Sequence, residues 1–272
     1  MLSPSTSVNY PRLPRTWKSR YPFRLACPSF VYPADYDVNV DILGPHVDEI
    51  ELLFFESHPQ SFPGDALVNR LVGLGQRHNI SYNIHLPDDL PLFDANPETQ
   101  QRAAATVQKM MHCLAPLTPS FFILHLEMST DRQFCAGDRR RWGERTIKGL
   151  EQLSVAGCPM STLCIENQSV PLDWFEPLLE TFGLTLCLDI GHLKLAGERL
   201  DCTLARWHSH ISALHIHGVA GGKDHRALTH LSSGDQNVLT AYLRSFRGSV
   251  SVEVFNFEGL YKSLTRIEEW LG

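Results

Sequence analysis

The chain has 272 residues, enough to bury a sizeable core as one large barrel or two small domains. Hydrophobic residues make up 43% and charged residues 20%, and no apolar run approaches the roughly 20 residues that span a bilayer, so no membrane partner is expected. The net charge is −6, and four cations (Arg12, Arg15, Lys18, Arg20) lie in the first twenty residues, which leaves the remainder near −10 and without the overall basic footing of a nucleic-acid binder.

Residues 1–22 add Pro and Ser to those cations and lack the apolar stretch of a secretory signal. They read as a flexible tail ahead of a single domain over 23–272, with a cytoplasmic location as the default expectation. Seven cysteines, Cys27, Cys113, Cys135, Cys158, Cys164, Cys187 and Cys202, contain no Cys-x-x-Cys pair. An odd, scattered set argues against a disulfide framework and a zinc ribbon alike.

Short apolar runs alternate with longer amphipathic ones from about residue 24. The first strand candidate, Arg24–Phe30, is followed by Val31–His46, the least helical connection. Strand Val47–Phe55, helix Gly64–Asn79, strand Ile80–Leu86 and helix Pro97–Pro116 come next. Strand Ser120–Glu127 leads through a loop bearing Arg139, Arg140, Arg141 and Trp142 into helix Gly143–Val155. Strand Ser161–Asn167 and helix Val170–Phe182 follow, then strands Thr185–Gly191, Ile211–Gly218 and Ser249–Phe255. Helix Glu258–Leu271 closes the chain. The strand runs are short, near-continuous and rich in Leu, Ile, Val and Phe, as parallel strands covered on both faces should be. Eight such units in about 250 residues match the α/β class and a (β/α)8 TIM barrel. A doubly wound open sheet uses the same alternation.

Polar residues recur at the strand ends. The third to eighth candidates carry His85, His125 with Glu127, Glu166, Asp189 with His192, His215 with His217, and Glu253. A barrel brings all C-terminal strand ends to one face. A single His or Glu there is ordinarily a hydrogen-bonded structural group. Six in succession would repel or sit desolvated unless cations held them, and imidazole and carboxylate are suitable ligands. Divalent ions, two or three per chain, are therefore expected, with zinc, iron, manganese or cobalt all compatible.

Asp189 and His192 are three apart across Gly191, which lets the backbone turn at the strand end. His215 and His217 share a strand face, so one can coordinate metal while the other contacts substrate or a carboxylate. The loop Gly221–Arg226 adds Asp224 and His225 as further candidate ligands, and Lys223 and Arg226 as cations for a phosphate. His230 reads as structural. His46, His58, His78, His112, His208 and His210 fall away from the expected mouth.

The series His85, His125, Glu166, Asp189 with His192, His215 and Glu253 resembles the xylose-isomerase-like barrel superfamily, which includes endonuclease IV. Its sugar isomerases and epimerases imply one metal held by Glu166, Asp189, His215 and Glu253. The endonuclease IV branch implies up to three, with His85, His125, His192, Asp224 and His225 added. That branch places one residue between its last acid and histidine; here the two are adjacent, a departure that bears on the third metal.

The runs VDEIELLFFE, YNIHLPDDL, CLDIGHL, HIHGV, KDHRALTHL and SVEVF are similar to the cobamide-remodelling phosphodiesterase family of the same superfamily. That resemblance implies a small-molecule corrinoid substrate, cleaved at the phosphodiester of its nucleotide loop to a cobinamide phosphate and an α-riboside. The leading expectation is thus metal-assisted phosphodiester hydrolysis, with Glu166, Asp189 and Glu253 bridging ions or orienting water. The alternatives are a single-metal sugar isomerase or epimerase, in which Glu166 and Glu253 move protons, an abasic-site nuclease, and a non-catalytic ligand-binding barrel.

Overall fold

The computed structural model describes residues 9–126, 136–168 and 170–272. Eight parallel strands close a barrel: β1 Arg24–Pro28, β2 Glu49–Leu53, β3 Ser81–His85, β4 Phe122–His125, β5 Leu163–Glu166, β6 Thr185–Asp189, β7 Ile211–Ile216 and, last in the chain, β10 Ser249–Val252. Between β7 and β10 an antiparallel hairpin, β8 Gly218–Ala220 and β9 Lys223–Arg226, rises from the end of β7. Around the barrel run α1 Tyr36–Leu43, α2 Asp65–His78, α3 Pro97–Leu114, α4 Ala136–Val155, α5 Glu176–Phe182, α6 Ile190–Leu195, α7 Leu200–Trp207, α8 Ser233–Leu243 and α9 Phe257–Leu271. Asn96 accepts from Glu98 N at 2.9 Å and Asn256 from Gly259 N at 2.8 Å, which caps α3 and α9. Among the described residues no helix is long and apolar enough to cross a membrane.

Strand register does the first part of building the site. His125 pairs with Glu166 across β4 and β5, and Asp189 pairs with His215 across β6 and β7. Alternation then decides which side chains face inward. On β2 it sends Glu49 and Glu51 into the barrel, both fully buried. Glu49, near the strand starts, is saturated: it receives Ser81 at 2.8 Å, Asn83 at 3.0 Å, Ser120 and Ser249, and lies 3.3 Å from Arg24.

Several local expectations need correction. From Tyr10 onward the first 22 residues are not a loose tail, because Leu13 and Trp17 are buried in the core. Trp17 N donates to His46 O at 3.0 Å and its Nε1 to Glu268 at 3.2 Å, while Arg20 pairs with Glu268 at 2.6 Å. A large indole with a satisfied N–H outweighs the polar composition around it. The connection 31–46 contains α1. Arg139 to Trp142 lie within α4, not in a loop, and Trp142 is buried, donating to Leu126 O at 3.1 Å. Gly191 belongs to the first turn of α6, whose N-cap is Asp189, and the stretch from Val170 passes through a 3-10 turn at Leu172–Trp174 before α5 begins at Glu176. Glu127 and Cys135 lie outside the described residues.

Candidate metal centre

At the C-terminal ends of the strands, Glu166, Asp189, His215 and Glu253 place one ligand atom each within 4.8 Å of all the others. His215 Nδ1 is 3.3 Å from Glu166 Oε2, 3.2 Å from Glu253 Oε2 and 3.9 Å from Asp189 Oδ2. All four residues are buried. Three carboxylates packed this way repel one another unless a cation lies among them. Among the described residues, neither ring nitrogen of His215 has a hydrogen-bond partner in good geometry, nor does Glu253 Oε2. Buried polar atoms without partners are costly, and a divalent ion would satisfy these. The donor set fits one.

A second group adjoins the first through Glu166. His85 Nε2 is 3.3 Å and His125 Nε2 3.1 Å from Glu166 Oε2. Their other nitrogens face outward: His85 Nδ1 donates to Leu86 O at 2.9 Å, and His125 Nδ1 lies 2.9 Å from Asp88 Oδ1. Asp88 was missed in the sequence because it sits three residues beyond the strand-end histidine, in a turn with no periodicity. Its side chain is half exposed, and with His85 and His125 it forms a further possible metal group.

The third group is His192, Asp224 and His225, whose ligand atoms also lie within 4.8 Å of one another. His192 Nδ1 donates to Asn167 O at 2.9 Å and His225 Nδ1 to Glu253 O at 3.2 Å, so both present Nε2 to Asp224. Adjacent residues on a strand point to opposite faces. His225 escapes that rule with φ +50°, a left-handed conformation in which non-glycine residues are uncommon. The backbone turn brings neighbouring Asp224 and His225 to one side despite their adjacency.

His217 does not reach a substrate. It is fully buried, its Nδ1 accepts from His225 N at 2.9 Å, and its Nε2 donates to Asp189 Oδ2 at 2.9 Å. It therefore orients Asp189 and ties the hairpin to the centre, which is the carboxylate contact rather than the substrate contact of the two expected for it. Asn167 supports the same acid from the other side, accepting Asp189 N at 2.6 Å and donating to Asp189 O at 3.1 Å.

Burial opposes charge at His125, Glu166 and Glu253, yet the pairing overcomes it in the metal-free protein. Glu166 and Asp88 raise His125 to about 10. Burial would lift the Glu166 and Glu253 carboxyls, but the facing His215 holds both well below the usual range, with His125 adding to the effect on Glu166.

His85, His125, Glu166, His192, His225 and Glu253 border a cavity of about 180 Å³, whose walls also include Phe55, Asp88, Gln168 and Phe255. Lys223 and Arg226 are exposed on the hairpin and do not line this cavity, so the structure does not bring the two expected phosphate cations onto it.

No family model matches the sequence, and no curated protein matches it. Solved structures do. A D-tagatose 3-epimerase-like protein superposes with TM-score 0.66 at 17% identity, covering 92% of this chain and 97% of its own. An AP endonuclease of family 2 from Brucella melitensis gives TM-score 0.66 at 14% identity, covering 91% and 97%. A sugar phosphate isomerase/epimerase from Parabacteroides distasonis gives 0.65 at 12%, covering 98% of each chain. At such identities the likeness establishes architecture. The chain shares their (β/α)8 TIM-barrel fold.

Proposed function

We propose that the protein is a metal-dependent phosphodiester hydrolase whose substrate is a cobamide, cut in its nucleotide loop. One observation carries the hydrolase part of this reading. Glu166 Oε2 lies within 3.3 Å of His85 Nε2, His125 Nε2 and His215 Nδ1 together. One carboxylate shared between two ligand groups suits a site for two ions. A one-metal isomerase accounts for Glu166, Asp189, His215 and Glu253 but leaves His85, His125, His192, Asp224 and His225 without a task.

Bound divalent ions would neutralise phosphate oxygens and make hydroxide available near neutral pH. The chain's own contribution is to fix the ligands before substrate arrives. Leu86 O, Asp88, Asn167 O and Glu253 O hold the imidazoles of His85, His125, His192 and His225, and His217 with Asn167 holds Asp189. Asp88 and Glu253 border the cavity and are placed to orient a water.

The substrate class rests on the sequence resemblance, and two further features support it. The cavity is small enough to admit a phosphodiester while the rest of a large molecule stays at the rim. There Phe30 and Phe55 are 46% and 49% exposed, with ring centroids 5.3 Å apart, an apolar footing for a large ring system. In the proposed reaction water adds to phosphorus, the bond from phosphorus to the riboside oxygen breaks, and the alkoxide takes up a proton. Phosphate stays with the cobinamide.

The test incubates one metal-loaded preparation with an intact cobamide and with abasic DNA, followed by mass analysis. Cobinamide phosphate and an α-riboside are expected, with negligible incision of DNA. An untouched cobamide, or robust incision, overturns the substrate assignment. A single bound ion with sugar epimerisation overturns the hydrolase reading.

A further inference from the structure

Each candidate histidine ligand uses one ring nitrogen for the centre and gives the other to an acceptor. For His85, His125, His192 and His225, Nδ1 meets Leu86 O, Asp88, Asn167 O and Glu253 O respectively, which leaves Nε2 as the atom free for an ion. His215 is reversed. Its Nδ1 faces Glu166, Asp189 and Glu253, so its Nε2 points down the barrel axis, where the nearby acceptor is Glu51 Oε2 at 3.2 Å.

Glu51 otherwise has no visible reason to be an acid. It is fully buried, and among the described residues neither carboxylate oxygen has a hydrogen-bond donor in good geometry. Two residues earlier, Glu49 shows what a structural buried carboxylate looks like on this strand, with Ser81, Asn83, Ser120, Ser249 and Arg24 around it. Burying an unpaired carboxylate is costly, and an apolar residue would fill the position without that cost. An acid placed there under those conditions points to His215, the imidazole 3.2 Å from it.

We propose that Glu51 is a positioning residue of the metal centre: it accepts the Nε2–H of His215, fixes that tautomer and strengthens Nδ1 as a ligand. A carboxylate behind a ligating imidazole orients the ring and raises its basicity, and loss of such a partner typically lowers metal affinity about 10–100-fold. This inference rests on the metal-centre part of the proposed function and is independent of the substrate.

The test uses Co(II) and Zn(II) alone as probes, with affinity measured by chelator competition. Glu51→Leu removes the acceptor and should weaken the ion held by His215 about 10–100-fold. Glu51→Gln keeps an acceptor without the charge and should fall between that variant and the wild type. In a His215→Ala background, Glu51→Leu should cause no further loss, whereas a general packing role would add to it. The metal-free stability of Glu51→Leu should equal or exceed that of the wild type. A third readout needs no variant: nitrogen-15 spectra of the zinc-loaded wild type should show His215 protonated at Nε2 and ligated through Nδ1. Unchanged affinity in both variants, or ligation through Nε2, overturns the inference. A wild type that takes up neither ion would instead overturn the metal centre itself.

Discussion

A Cβ on residue 191 would lie 1.9 Å from Cε1 of His217, so the bare backbone of Gly191 is what admits the His217 ring beside Asp189. The His217 Nε2 to Asp189 Oδ2 distance of 2.9 Å depends on that gap. Gly191→Ala should push the ring away and destabilise the fold by about 1–3 kcal/mol, as overpacking does. Metal affinity should fall as well, because Asp189 loses its support. Thermal unfolding and metal content together check this, and wild-type values in both would refute it.

Glu166 joins two of the ligand groups, so its loss should be felt in both. Glu166→Gln is expected to remove bound metal and hydrolysis together while circular dichroism stays like the wild type. Asp189→Asn should act in the same direction. Full activity in either variant is incompatible with the site described.

His85 and His125 touch only the second group, and their removal should be narrower. His85→Ala or His125→Ala should lower metal content by no more than about one ion and reduce turnover more than substrate binding. Elemental analysis beside steady-state kinetics separates these effects. Unchanged metal in the variants, with a single ion in the wild type, would favour the isomerase chemistry.

The metal-free protein should lose stability in alkali. His125 has a value of about 10, above its ordinary 6.5, so its pairing with Glu166 and Asp88 stabilises fully below about 6.5 and is lost as pH rises toward 10. Glu166 and Asp88 lie below the usual carboxylate range, so their share is present above about 4 and lost on acidification. Metal ligation needs neutral imidazole, so loading should release protons and abolish the alkaline loss. Melting temperatures across pH, with and without a chelator, test both halves.

At the rim, Phe55→Ala and Phe30→Ala should raise KM for a cobamide several-fold while leaving hydrolysis of a small aryl phosphodiester unchanged. Equal effects on both substrates would show that the pair supports the cavity wall and does not receive a large ring.

Periodicity made the eight barrel strands legible because buried parallel strands are continuous apolar runs, and the ligand-bearing ends stood out as the polar residues closing them. Other features lay beyond that signal. Glu51 alternates with Ile50 and Leu52, a pattern that marks an inward acid in retrospect, yet it sits mid-strand and away from the ends where ligands are sought. Asp88 belongs to a turn. The helical start of α4 around Arg139 was obscured by a run of cations, and Trp17 by the polar residues beside it. Asp224 and His225 carried a spacing that alone argued against joint ligation; only the positive φ of His225 shows how neighbours converge.

The segment around Leu13 and Trp17 covers the barrel where its strands begin: Ser19 N bonds Asp48 at 2.7 Å, just before β2, and Lys18 Nζ reaches Asn79 O at 3.1 Å, at the end of α2. The proposed chemistry lies at the opposite end. A chain shortened past Trp17 would therefore lose activity through unfolding, and such a deletion would be misread as evidence for an N-terminal substrate contact. The same separation makes the N-terminal side the safer place for a purification handle or surface tether, since whatever is attached there leaves the mouth free for a bulky guest.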